Sequence, residues 1–176
     1  RSMRTYTEPL KALREYEECR SALLRKKTPV AVTGCIDSQK CHFVHTLGEN
    51  YRVRLVVTYN DLKAKEICED YRLYDQEVLY YPAKDVIFFS ADIHGNTLVR
   101  ERMQVIRKLC EETPVTIVTT IDGGIDHVLP LSYMKENCIT LAETEEADLT
   151  ELIAKLVMLG YERQGQVEHP GEFAVR

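Results

Sequence analysis

No apolar run in the sequence approaches the roughly eighteen residues that a membrane-spanning helix needs, and no signal-peptide pattern is present, so neither a span nor export is expected. Cysteine pairs at C-x-x-C spacing are also missing. The six cysteines, Cys19, Cys35, Cys41, Cys68, Cys110 and Cys138, lie scattered along the chain. That pattern excludes the dense disulfide scaffold of a small secreted protein and points to reduced thiols in a cytoplasmic chain. A surplus of positive charge is lacking too. The formal net charge is -5, with no overall basic patch, so this chain alone is not expected to bind nucleic acid. Internal repeats and low-complexity tracts are absent.

What remains is an ordinary globular composition, 44% hydrophobic and 29% charged, which argues against disorder. A chain of 176 residues can bury about two-thirds of its unfolded surface and needs no staple. Short β-rich runs alternate with helical periodicity. Val30-Ala31-Val32-Thr33, Arg54-Leu55-Val56-Val57, Glu77-Val78-Leu79-Tyr80-Tyr81 and Val115-Thr116-Ile117-Val118-Thr119 read as strands, with Cys138-Ile139-Thr140-Leu141 as a candidate fifth. Runs this apolar suit parallel strands covered on both faces. An opening helix is expected from about Pro9 to Arg25. Further helical stripes are Ala64, Ile67, Cys68, Tyr71; then Val99, Met103, Ile106, Cys110; then Leu149, Leu152, Ile153, Leu156, Val157, where Asp148 and Glu151 suggest a capping box. Arg100, Arg102, Arg107 and Lys108 flank the second stripe and read as its solvated face.

The rhythm predicts an α/β fold, a doubly wound and mostly parallel sheet, over residues 1–159. After Leu159 the register changes to Gly/Pro-punctuated extended pieces, and residues 160–176 read as the beginning of a small second domain. In Glu172-Phe173-Ala174-Val175-Arg176 alternation places Phe173 and Val175 inward, with Glu172 and Arg176 outward. The run stops in mid-strand, from which a truncated chain is expected.

The first strand followed by Gly34 and a helix is where a phosphate-binding loop, G-x-x-x-x-G-K-[ST], would sit. Such a loop works because backbone amides cradle the phosphates, the lysine neutralises charge and the hydroxyl holds magnesium. Here Ala31 falls on the first glycine, Ile36 on the second and Asp37 on the lysine; Ser38 alone fits. Ile36 blocks the close backbone approach and Asp37 would repel a triphosphate, while Lys40 comes three residues late. A degenerate P-loop that binds no nucleotide is expected, with neither catalytic residues nor a cofactor in this chain.

Cys35, Cys41, His42 and His45 lack zinc spacing and do not share one helix face, so no metal is expected. Asp122, Gly123, Gly124, Asp126 and His127 follow the Val115 strand as a catalytic loop could, yet a helix cap with a glycine turn explains them as well. Tyr59, Tyr71, Tyr74, Tyr80, Tyr81 and Tyr133 read as half-buried packing, since no basic stripe interleaves them.

Two stretches carry a family likeness. Leu159-Gly160-Tyr161-Glu162-Arg163 through Val167-Glu168-His169-Pro170-Gly171-Glu172-Phe173-Ala174-Val175-Arg176 closely resembles the G-Y-x-R…V-E-x-P-G-E-F-A-x-R block of bacterial transcription-repair coupling factors. Tyr80-Tyr81-Pro82, Asp85, Phe88-Phe89, Asp92-Ile93-His94 and Val99-Arg100-Glu101-Arg102 resemble their F-P-x-x-D…D-x-H…V-x-E-R-L region. The resemblance covers nearly the whole chain and identifies it with the amino-terminal, UvrB-like part of that family. UvrB itself is the alternative, as a fragment of an ATP-dependent repair enzyme of UvrB or helicase type. The lost P-loop, and a passage from Tyr81 to His94 too short for UvrB's DNA-gripping hairpin, favour the coupling factor.

The resemblance implies a RecA-like, P-loop-NTPase type of fold that serves as a scaffold in transcription-coupled nucleotide excision repair, recruiting UvrA and contributing to autoinhibition of the parent. It implies ATP and magnesium for a separate translocase module, and RNA polymerase and DNA as partners of modules outside this chain. It also implies that Arg176, ending the E-F-A-x-R block, contacts UvrA, although weak or no UvrA binding is expected of the fragment by itself.

Overall fold

The computed structural model describes residues 4–84, 92–128, 130–142, 146–169 and 171–175, without the side chains of 4–6 and 92–96. Arg176, and the Asp85 and Phe88-Phe89 positions of the family likeness, lie outside the described residues. The chain divides into two compact units, Arg1–Val128 and Leu129–Arg176.

In the first unit the expected opening helix is two helices, α1 (Arg4–Lys11) and α2 (Arg14–Leu24). Leu13, at φ -78 and ψ 136, is extended and breaks them. Neither glycine nor proline stands at the break, so packing decides it. The turn delivers Tyr16 into the interior, 4% exposed, where its hydroxyl donates to the Thr46 carbonyl at 3.4 Å and its ring leans on Phe43.

After α2 come α3 (Asp37–Leu47), β1 (Val53–Thr58), α4 (Asp61–Tyr71), β2 (Leu79–Tyr81), α5 (Asp92–Cys110), β3 (Val115–Thr120) and the short α6 (Ile121–Ile125). The three strands form one parallel sheet in the order β1-β3-β2, with Val53 opposite Val115 and Leu79 opposite Ile117. Every residue of β3 is buried, as the continuous apolar run requires of a central parallel strand. Successive side chains of β3 feed two cores. Val118 joins Cys41, Ala64, Cys68, Tyr71 and Val78 under α3 and α4, while Val115 and Ile117 meet Val105 of α5. Helices therefore cover both faces of the sheet at β3, as the strand-helix alternation implied. Fully burying a side chain such as Val118 contributes about 1.5–3 kcal/mol.

Val30–Thr33, expected as a strand, is unpaired, and Val32 is 46% exposed. The run has four residues between Pro29, which has no N–H to donate, and Gly34 at φ 82, leaving room for few ladder bonds. The second stripe is also corrected. On α5 the buried residues are Leu98, Arg102 and Val105, with Leu109 packed beside them, whereas Val99 and Met103 are each 47% exposed. The inward face is offset from the expected one by a single position.

The second unit holds α7 (Leu131–Glu136), α8 (Leu149–Met158) and a two-stranded parallel pair, β4 (Glu162–Arg163) and β5 (Glu172–Phe173). Asp148 caps α8 by accepting from the backbone N–H groups of Thr150 and Glu151. Gly160, at φ 90, closes the helix: its N–H reaches the Val157 carbonyl and that of Tyr161 reaches Leu156, each at 3.0 Å. This paired closure needs a left-handed residue, which glycine supplies without strain. Residues 138–141 form no strand.

Candidate functional site

The loop between Val30 and α3 is the first place to test. Gly34 makes the turn at φ 82, and Ile36 stands immediately before the helix, 64% exposed, with its N–H donated to Gln39 Oε1 at 3.1 Å. Asp37 opens α3, where a carboxylate complements the helix dipole. Its two oxygens are taken: Lys40 Nζ lies 2.8 Å from Oδ1, and Lys63 Nζ, reaching over from α4, lies 2.6 Å from Oδ2. Lys63 also meets Glu66 at 3.0 Å. Hydrogen bonds from Lys40 first, then from Lys63, hold the Asp37 carboxyl down at about 2. Hydrogen bonds to Asp37 first, then to Glu66, push the Lys63 ammonium above its ordinary value. Ser38 is exposed. Both ammonium groups beside this turn thus face carboxylates of the chain itself.

A second cluster lies at the carboxyl ends of β2 and β3, where open parallel sheets bind ligands. Its centre is Arg102, which the pattern had left on a solvated face and which is 7% exposed. Nη1 donates to the Pro82 carbonyl at 2.6 Å and to Asp126 Oδ2 at 2.9 Å, and the guanidinium lies 4.2 Å from the Tyr81 ring centroid. Asp126 Oδ2 also accepts the Lys84 N–H at 2.9 Å, and Lys84 Nζ donates to the His127 carbonyl at 2.8 Å. Desolvation raises the Asp126 carboxyl, but the Lys84 amide and Arg102 outweigh it, so the net shift is downward. Thr119 Oγ1 donates to the Tyr81 carbonyl at 2.8 Å, and Thr120 caps α6 by accepting the Gly123 N–H. The Asp122–His127 loop is thereby a latch that ties α5 to the ends of two strands. A charged side chain this enclosed in an α-helix has no signature in hydrophobic periodicity; the only sequence trace was its place among apolar neighbours.

Several of the remaining candidates are packing side chains. Cys41 is buried beneath α4, and burial pushes its thiol up; burial also lifts the Cys68 thiol to about 11. His42 stacks on Tyr74 with centroids 5.2 Å apart, and His45 stands between Tyr71 and Tyr74. Tyr71 is fully buried, whereas Tyr59 and Tyr133, expected as half-buried packing, are 72% and 49% exposed. Among the described residues no helix is long and apolar enough to cross a membrane.

In the second unit, β4 and β5 are joined through Gln164–His169, all exposed. Phe173 is 9% exposed, as the alternation placed it. Glu172 is partly exposed, and its carboxylate engages the backbone of its own loop. Its Oε2 accepts the N–H groups of Glu168 at 2.8 Å and His169 at 3.0 Å, so the carboxylate is turned into its own loop. Those two bonds, Glu168 first, hold its carboxyl below the usual range.

Comparison with known proteins bears on this second unit and on the chain as a whole. Residues 139–176 match the family described as the UvrB interaction domain. The transcription-repair-coupling factor of Staphylococcus epidermidis RP62A is 27% identical over 150 residues, covering 84% of this chain and 13% of that protein. That of Staphylococcus haemolyticus is 28% identical over 153 residues, and that of Staphylococcus aureus NCTC 8325 is 26% identical over 148. The chain therefore spans about an eighth of the length of these relatives, 13% in each case. The likeness read from the two sequence stretches extends over most of the chain.

Proposed function

We propose that this chain, similar to transcription-repair-coupling factors over most of its length, is a non-catalytic piece of such a factor, acting in transcription-coupled nucleotide excision repair. The observation that carries the reading is the agreement between the family matched by residues 139–176 and the whole-chain likeness to proteins bearing that name. The second unit serves as part of a docking surface for UvrA, with Arg176 as an anchor. An arginine suits an acidic partner because its planar fork holds a carboxylate through two hydrogen bonds. The first unit is a RecA-like scaffold with a degenerate P-loop and contributes to autoinhibition of the parent. ATP, magnesium, RNA polymerase and DNA belong to other modules of that parent.

The loop chemistry supports the nucleotide-free reading. A triphosphate approaching α3 meets the Asp37 carboxylate and two lysines already engaged by carboxylates. Calorimetric titration with magnesium and ATP is expected to show no binding at millimolar nucleotide. A dissociation constant in the micromolar range overturns this and favours a UvrB-type or helicase-type enzyme. For the docking reading, a full-length transcription-repair-coupling factor carrying this segment is mixed with UvrA. Binding is expected, and Arg176→Glu is expected to abolish it without altering the circular dichroism spectrum. Undiminished binding by the folded charge-reversal variant would show that Arg176 is not the anchor.

A further inference from the structure

Glu172 combines with its surroundings in a way that neither the family match nor the docking reading assigns. One oxygen, Oε2, accepts two successive backbone N–H groups, those of Glu168 and His169. The Glu172 N–H in turn donates to the His169 carbonyl at 3.3 Å, so residue and loop are joined in both directions. On the far side the ladder bonds Glu162 N–H to Gly171 carbonyl (2.8 Å) and Gln164 N–H to Phe173 carbonyl (2.9 Å) fix the base. The loop itself, Gln164–His169, is exposed throughout, and Val167 presents an apolar side chain at 50% exposure. Gly165 lies within it and Gly171, at φ 94, follows it, so the backbone has little intrinsic preference for one shape. A polar, glycine-bearing loop keeps one conformation more readily when its amides are held by a side chain of the same chain.

We propose that Glu172 is a positioning residue for UvrA docking: its carboxylate staples Gln164–His169 into one shape, so that the outward side chains of the loop, Val167 among them, meet the partner already ordered. The inference rests on the docking reading and deepens it by naming the loop as contact surface and Glu172 as its internal support. Glu172 does not itself touch the partner. Pre-ordering a loop strengthens binding because the entropy of ordering is not lost at the moment of association.

The chemistry supplies a sharp test, because both bonds end on the same oxygen. The amide oxygen of glutamine can take that place, whereas alanine cannot. Wild type, Glu172→Gln and Glu172→Ala are compared in a full-length factor carrying this segment, by amide hydrogen exchange at Glu168 and His169 and by titration with UvrA. Glu172→Ala is expected to exchange faster at both amides and to bind UvrA at least tenfold more weakly, with an unchanged melting temperature. Glu172→Gln is expected to match wild type in both measurements. Wild-type affinity in Glu172→Ala overturns the proposal, as does a loss in Glu172→Gln while its amides stay protected, since the charge would then be the contact. If wild type itself does not bind UvrA, the docking reading fails and takes the positioning role with it. The exchange data then still decide whether the staple exists.

Discussion

Removing the guanidinium of Arg102 would leave the Pro82 carbonyl and the Asp126 carboxylate short of a donor in a place where water enters poorly. The two side chains are 9% and 20% exposed. Breaking a fully buried ion pair from one side costs about 3–5 kcal/mol, and the residual exposure here moves the expectation to the lower end, about 3 kcal/mol for Arg102→Met. Urea unfolding measures it; a loss below about 0.5 kcal/mol would mean the latch is ornamental. His45 makes a different residue-scale prediction. Its Nδ1 is buried without a hydrogen-bond partner, and desolvation first, then Arg54 and His42, depress its pKa against the opposing pull of Asp75 and Glu49. A histidine whose folded pKa is depressed binds its proton more readily in the unfolded chain. Its contribution to stability is therefore present above the unfolded value, about 6.5, and is lost as pH falls through the folded one. The melting temperature should drop between pH 7.5 and pH 5, and His45→Phe should flatten that slope. An identical slope in the variant would assign the effect to another group.

At the scale of elements, α5 and α6 offer paired substitutions in which two effects compete. On α5, Val105→Ala empties a site 2% exposed against β3 and is expected to cost about 2 kcal/mol, whereas Met103→Ala, at 47% exposure, should stay within about 0.5 kcal/mol. The reverse order would restore the stripe one position along. On α6, alanine is favoured over glycine in a helix by about 1 kcal/mol, so propensity predicts gain at both Gly123 and Gly124. Space separates them. A Cβ at Gly123 would fall 2.4 Å from Thr119 Oγ1 and 3.2 Å from the Tyr81 carbonyl, while one at Gly124 meets nothing nearer than 3.8 Å. Thr119 cannot yield without giving up its bond to Tyr81. Gly123→Ala is expected to lose about 1–3 kcal/mol and Gly124→Ala to be neutral or stabilising, read from denaturant midpoints.

For the whole molecule the charge balance dominates. A net charge of -5 opposes a polyanion. Described cations such as Lys40, Lys63, Arg102 and Lys108 already face carboxylates. Phosphate contacts supply most non-specific DNA affinity, and a chain of net negative charge is poorly suited to make them. No shift of duplex DNA is expected with micromolar protein at about 0.1 M salt, and a salt-sensitive shift there would overturn this.

Read by itself, the sequence determined the chemistry that one residue decides: Asp148 as a helix cap, Gly160 as a helix stop. It also determined the strands at Arg54–Val57 and Val115–Thr119, the end of the expected strand Glu77–Tyr81 at Leu79–Tyr81, and the helix through Ala64, Cys68 and Tyr71, because their apolar periods are unambiguous. Tertiary structure alone decided which side of α5 turns inward. The sets Leu98, Arg102, Val105, Leu109 and Val99, Met103, Ile106, Cys110 differ by one position, about 100° on a helix, and only the surface of β2 and β3 chooses between them. It likewise broke the first helix at Leu13 and left Val30–Thr33 unpaired. It brought the Glu172 carboxylate onto two amides of its own loop, since strand alternation fixes where a side chain starts but not where a flexible one ends. Local pattern is set by bonds along the chain. A choice between near-equal faces, or between solvent and an unsatisfied amide, is made by contacts between distant segments.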